Sequence, residues 1–182
     1  ELGKDCRNYG VLEGLQGARS LFSQILECDY ENVIVGNNSS LSIMHDCIVR
    51  ALLFGVPGGN QPWSQQGNIR FICPSPGYDR HFEITNHLGF ELLSVDMTDE
   101  GPDMDRVEEL ASDFSVKGIW CVPRYSNPTG VTYSKEVSRR LANMKAAPDF
   151  RIFWDNAYAE HHLTEHPKPL PNILQACRKS GN

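Results

Sequence analysis

The 182-residue sequence carries 17 Lys+Arg against 23 Asp+Glu, a formal net charge of −6, with 40% hydrophobic and 22% charged residues. That is the composition of an ordinary globular protein, long enough to bury a sizeable core as one domain or a large piece of one. The acidic balance excludes a general nucleic-acid binder, which needs a basic face, and no apolar run approaches the ~18 residues of a membrane-spanning helix.

In chain order, residues 11–27 read as a helix, Asn32–Val35 as a strand and 40–54 as a second helix. In that second helix Leu41, Met44, Ile48, Ala51 and Leu52 recur at a helical period. Gly55–Gly67 (GVPGGNQPWSQQG) is a long Gly-, Pro- and Gln-rich loop, read as a mobile surface loop or an interface element. Strands are predicted at Arg70–Cys73, Phe90–Val95, Gly118–Val122 and Arg151–Trp154, with helices between them at 79–89, 103–114 and 134–146. Asp103 and Ser134 are placed to cap the last two helices. The Pro-broken stretch His166–Pro171 leads into a short amphipathic segment at Asn172–Arg178, with Gly181 as a helix-ending signal. This alternation predicts an α/β three-layer sandwich with a mostly parallel sheet covered on both faces. Ligands of such sheets gather at the carboxyl ends of the strands.

No charged-then-apolar leader opens the chain, and Glu1 in place of Met reads as something other than a natural beginning. The six cysteines, at 6, 28, 47, 73, 121 and 177, have wide, irregular spacing and no C-x-x-C pair, so reduced thiols in a cytoplasmic protein are expected. Cys47, Cys73 and Cys121 lie among apolar neighbours, as small hydrophobes do. His161, His162 and His166 fit no zinc spacing and read as solvated loop residues. Arg139-Arg140 and the acidic run Asp99–Asp105 read as solvated faces.

Three segments carry candidate chemistry, each at the carboxyl end of a predicted strand. Gly36-Asn37-Asn38-Ser39-Ser40 opens a helix, where small residues and exposed N–H groups make an anion site. It lacks the Lys of a Walker motif and the G-x-G-x-x-G spacing, and taken alone it reads better as a plain turn with Ser39 or Ser40 as N-cap. Tyr125-Ser126-Asn127-Pro128-Thr129-Gly130 places an amide where a ligand would meet it, or forms a simple turn. Trp154-Asp155-Asn156-Ala157-Tyr158 brings a carboxylate out of an apolar strand, where it needs a partner: an arginine structurally, or a protonated ring nitrogen functionally.

Together S-N-P-T-G at 126–130, D-N-A-Y at 155–158 and the 28-residue step from Asn127 to Asp155 resemble the fold-type I pyridoxal-phosphate aminotransferases. V-P-R-Y-S-N-P-T-G at 122–130 and V-G-N-N-S-S-L at 35–41 look like the bacterial aspartate aminotransferase subgroup, and R-N-Y-G-V-L-E-G-L at 7–15 looks like the family's segment near the dimer interface. The resemblance implies that Asp155 pairs with the pyridine nitrogen of pyridoxal 5'-phosphate, while Asn127 and Tyr158 hydrogen-bond the ring's phenolic oxygen. It implies Ser39 and Ser40 for the phosphate, Tyr78 stacked on the ring, and Tyr9 reaching the phosphate of a neighbouring subunit in a homodimer. Without the resemblance Tyr78 is as readily a turn-anchoring core aromatic, and for Tyr9 in a monomer a surface or packing tyrosine is the plainer reading. The implied reaction converts aspartate and 2-oxoglutarate to oxaloacetate and glutamate, without nucleic acid, membrane or metal.

The match has gaps. The family's Schiff-base lysine lies in a Ser-x-x-Lys segment well downstream of the ring-binding Asp, whereas 27 residues follow Asp155 and neither Lys168 nor Lys179 has that context. The expectation is therefore a partial cofactor-binding large domain over 1–182, without the N-terminal segment, the lysine and the small C-terminal domain with its carboxylate-binding arginine, and inactive alone. An aminotransferase-like effector domain of a transcription regulator is the alternative.

Overall fold

A computed structural model describes residues 5, 7, 9–36 and 38–181, in two units divided after Ser39. Glu1, Cys6, Asn8, Asn37 and Asn182, which enter the readings above, lie outside the described residues.

In the first unit, helix α1 spans Gln16–Ile25, five residues shorter at its start than the pattern suggested. Gly14, at φ +98°, ends the preceding turn; a Cβ there would stand 2.6 Å from that of Val35, so the contact admits only glycine. Residues 32–35 are not a strand. Tyr30–Asn32 forms a 3-10 turn, and the extended residues after it are bound within the unit: Val35 N–H donates to Glu13 O (2.9 Å), and Arg19 donates to the carbonyls of Val33 (2.8 Å) and Tyr30 (3.1 Å). The short apolar run suggested a strand, but the Val33 carbonyl is taken by a guanidinium instead of a neighbouring strand.

In the second unit, helix α2 is Ser40–Phe54, followed by strand β1 (Arg70–Ser75), α3 (Asp79–His87), β2 (Glu91–Thr98), β3 (Gly101–Pro102), α4 (Met104–Ala111), β4 (Val116–Cys121), α5 (Lys135–Asn143), β5 (Arg151–Trp154) and α6 (Ile173–Ser180). The sheet runs β3-β2-β1-β4-β5, parallel throughout except for the two-residue β3, which pairs antiparallel with β2. The predicted α/β architecture is thus present, with β3 as an unforeseen edge. Strand residues alternate between two cores: Ile72, Ile119 and Cys121 face Val107, Leu141 and Met144, while Phe71, Cys73 and Trp120 pack with Ile48, Ala51 and Trp63. All six residues of β4 are buried, as expected of a central parallel strand. Chain order reverses across β1: α3 leads to β2 on one side and α4 leads to β4 on the other. The carboxyl ends of β1 and β4 therefore flank a topological switch point.

The predicted caps are in place. Asp103 Oδ1 accepts from the amides of Asp105 (3.0 Å) and Arg106 (3.4 Å), and Ser134 Oγ accepts from Val137 N–H (3.2 Å). Asp103→Ala is expected to lower stability by about 1 kcal/mol, read as a shift of the urea midpoint with an unchanged slope.

Three surface readings need correction. The Gly55–Gly67 loop is anchored, because Trp63 is fully buried in the second core and Gln66 Nε2 donates to Asp149 Oδ2 (2.9 Å). Arg140 is tied to Glu108 (2.8 Å) and Asp105 (2.6 Å), joining α5 to α4 where a solvated face was expected. Cys47 is exposed, since it falls on the outer side of α2. Cys73 and Cys121 are buried as expected; burial pushes the Cys73 thiol up to about 12 and Cys121 still further, which makes both poor nucleophiles. The described cysteines are free thiols. No helix among the described residues is long and apolar enough to cross a membrane.

Candidate functional site

Three adjacent parallel strands, β1, β4 and β5, deliver their following loops to one edge of the sheet. β1 ends at Ser75 and its loop leads to Tyr78, which stands at the N-cap of α3. The loop after β4 carries Ser126 and Asn127, and β5 ends directly before Asp155. The β4–β5 ladder is closed at this edge by Asp155 N–H donating to Cys121 O (2.8 Å). That bond fixes the backbone from which the carboxylate projects.

The partner of Asp155 is neither an arginine nor solvent alone. His81, one turn into α3, has its Nε2 3.0 Å from Asp155 Oδ2. The imidazole is sealed at 1% exposure, stacked on Trp120 (4.9 Å between centroids, 20° between planes) and met edge-on by Tyr78 (5.0 Å). Asp155 retains 11% side-chain exposure. Among the described residues its Oδ1 has no hydrogen-bond partner. A carboxylate with one oxygen fixed from behind and the other free at a strand end suits a cationic N–H donor in front of it. The amide oxygen of the next residue, Asn156, is also buried without a partner. These acceptor oxygens fit the protonated pyridine nitrogen that the motif resemblance implies.

Sequence reasoning missed His81. Its signal was present, because a helix beginning at Asp79 turns residue 81 back toward the strand ends, but a lone His in a helix is ordinarily a core residue.

Tyr78, His81, Trp120, Val122 and Ser126 line one small recess, so the loops after β1 and β4 meet there. Tyr78 is half-buried and Asn127 is exposed. Tyr158 is half-buried and packs edge-on against His161 (5.7 Å), whose N–H donates to Tyr158 O (3.1 Å). Ser40 is the first residue of α2, with Ser39 immediately before it. Tyr9, in the first unit, is fully exposed. The structure thus brings Tyr78 and Asp155 together through His81, with Ser126, the residue before Asn127, lining the same recess as Tyr78 and His81, and leaves Ser39, Ser40 and Tyr9 described only within their own segments. His161, His162 and His166 are exposed, and no metal-holding cluster occurs among the described residues. A cavity of about 740 Å³ between α5, β5 and α6, lined by Leu141, Met144, Ile152, Trp154 and Ile173, contains none of these residues.

A family model described as aspartate amino-transferase matches residues 1–182. A protein of Mycolicibacterium smegmatis is 50% identical over 182 residues, covering 99% of this chain and 42% of its own length. The crystal structure of an aspartate transaminase from Corynebacterium glutamicum superposes with a TM-score of 0.94 at 48% identity, over 99% of this chain and 43% of that one. An α-aminoadipate aminotransferase of Thermus thermophilus, solved with N-(5'-phosphopyridoxyl)-L-leucine, shares the fold at 21% identity and a TM-score of 0.74, over 96% of this chain and 41% of that one. The chain spans less than half the length of the curated relatives it matches.

Proposed function

Because the chain belongs to the aspartate aminotransferase family, a pyridoxal-phosphate-dependent one, we propose that residues 1–182 form the cofactor-holding part of an enzyme that transaminates aspartate with 2-oxoglutarate. The observation that carries this reading is the Asp155 carboxylate, held through Oδ2 by buried His81 with Oδ1 open at the switch-point edge. When bound, pyridoxal phosphate supplies an electron sink for the carbanion left as an amino acid loses its α-proton. Asp155 Oδ1 would accept from the ring nitrogen and keep the proton there. His81 holds that carboxylate in place and, being sealed from water, keeps the pair's attraction strong. Tyr78 would cover one ring face, and Asn127 and Tyr158 would donate to the phenolic oxygen. Ser40 and Ser39, at the start of α2, would hold the phosphate, where helical N–H groups and the dipole favour an anion.

In this reading the covalent lysine and the substrate-carboxylate arginine belong to polypeptide outside the 182 residues. Turnover then requires the longer protein, working as a cytoplasmic homodimer in which Tyr9 reaches a neighbouring subunit's phosphate. The similarity to an aspartate transaminase at 48% identity supports aspartate as the amino donor.

Titrating pyridoxal phosphate into the 182-residue chain tests the cofactor reading. Saturable quenching of tryptophan fluorescence is expected, since Trp120 stacks directly on His81. Absence of saturable binding would overturn it.

A further inference from the structure

We infer that Tyr125 and His162 form a clasp that positions the two cofactor-facing loops against one another, an inference that rests on the cofactor reading above. The sheet does not supply this link. Beyond the bond from Asp155 N–H to Cys121 O, no backbone hydrogen bond joins residues 122–132 to residues 156–168 among the described residues. Side chains supply it instead. The Tyr125 hydroxyl and His162 Nδ1 share a hydrogen bond of 3.0 Å, with their rings edge-to-face at 6.1 Å. The preceding residue makes a second tie in the same direction, Arg124 Nη1 donating to Lys168 O (3.1 Å).

Tyr125 holds this position in the left-handed region, at φ +49°. A bulky residue there is strained, and such strain persists only where surrounding contacts over-determine it. Its own amide is fastened to Thr132 Oγ1 (3.4 Å), and the turn beyond is closed by Ser126 N–H to Val131 O (2.8 Å). Asn127 sits inside that closed turn, two residues from Tyr125. On the other side, His162 follows the turn in which His161 N–H binds Tyr158 O and the two rings pack together. A continuous physical path therefore runs from the Asn127 turn through Tyr125 and His162 to Tyr158. Tyr125 and His162 are positioning residues: neither is assigned contact with the cofactor.

Amide hydrogen exchange on the 182-residue chain tests the clasp without cofactor. Tyr125→Phe and His162→Ala should each speed exchange in both 124–132 and 156–163 by roughly three- to tenfold, the loss of one modest hydrogen bond. The double variant should be no faster than either single one, and His162→Asn, which keeps an acceptor near the Nδ1 position, should restore protection. Unchanged exchange in Tyr125→Phe, or multiplied effects in the double variant, would overturn the clasp. Pyridoxal phosphate titration of the same variants tests the consequence: weaker binding in each single variant supports positioning, and affinity equal to wild type refutes it. Were the wild-type chain to bind no pyridoxal phosphate, the cofactor reading would fall, while the exchange result would still decide the clasp.

Discussion

Asp155→Asn should weaken pyridoxal phosphate binding by roughly 10- to 150-fold, the loss of a hydrogen bond to a charged group worth about 1.5–3 kcal/mol. Asparagine keeps an oxygen for His81 and nearly the same shape, so the fold should survive, but it removes the negative charge that favours a protonated ring nitrogen. The comparison with His81→Leu separates charge from placement. That variant keeps the negative charge and removes the buried Oδ2 bond that holds the carboxylate in place. Cofactor affinity should therefore fall less in His81→Leu than in Asp155→Asn, because the negative charge remains and only its placement is lost. Dissociation constants of both variants and wild type, measured side by side, distinguish the two. Equal affinity in Asp155→Asn and wild type would show that Asp155 does not face the ring.

Much of the architecture was legible because local signals agreed with it. Helix α2 matches the predicted 40–54, and the capping residues Asp103 and Ser134 are where short polar side chains before an amphipathic run should be. Strand β4 announced itself by the run Gly118–Val122, although its second residue is the charged Lys117. What escaped depended on contacts distant in sequence. Nothing in Asn32–Val35 reveals that Arg19 takes the carbonyl of Val33, and the composition of Gly55–Gly67 conceals that Trp63 is a core residue. At the candidate site, residues with recognisable motifs were visible, but the partner of Asp155 lies 74 residues earlier on a helix face, where periodicity marks it only as inward-pointing. Tyr125 was read as part of a turn; its left-handed backbone and its reach to His162 are properties of the folded loops alone.

Lys117→Met should destabilise the protein by about 3–5 kcal/mol, because it strands a buried carboxylate. Lys117, at the amino end of β4, is 1% exposed and donates to both oxygens of Asp149 (3.1 and 2.9 Å) and to Phe114 O (2.6 Å); Asp149 is 5% exposed. The same carboxylate receives Gln66, so the pair also fixes the end of the Gly55–Gly67 loop. Burial alone would raise the Asp149 carboxyl, but the hydrogen bonds from Lys117 and Gln66 outweigh it and hold it below its ordinary value of 3.8. A carboxyl lowered in the folded state contributes stability above its unfolded pKa and loses it as pH falls through the folded value. Wild type should therefore keep this contribution down to about pH 4 and lose it only in stronger acid. In Lys117→Met the stranded carboxyl should rise above its ordinary value and take up a proton at milder pH, so the deficit against wild type should shrink on acidification. Urea unfolding at pH 7 and pH 5 reads both effects, and the double variant Lys117→Met/Asp149→Leu should recover most of the loss, since no buried charge is then left stranded. A single variant within 1 kcal/mol of wild type at pH 7, or a deficit that grows toward acid, would contradict a buried, mutually dependent pair. Because Lys117 is at the end of β4 opposite the Asn127 loop, pyridoxal phosphate affinity of the folded variant should match wild type, which separates the tie that holds the fold from the residues assigned to the cofactor.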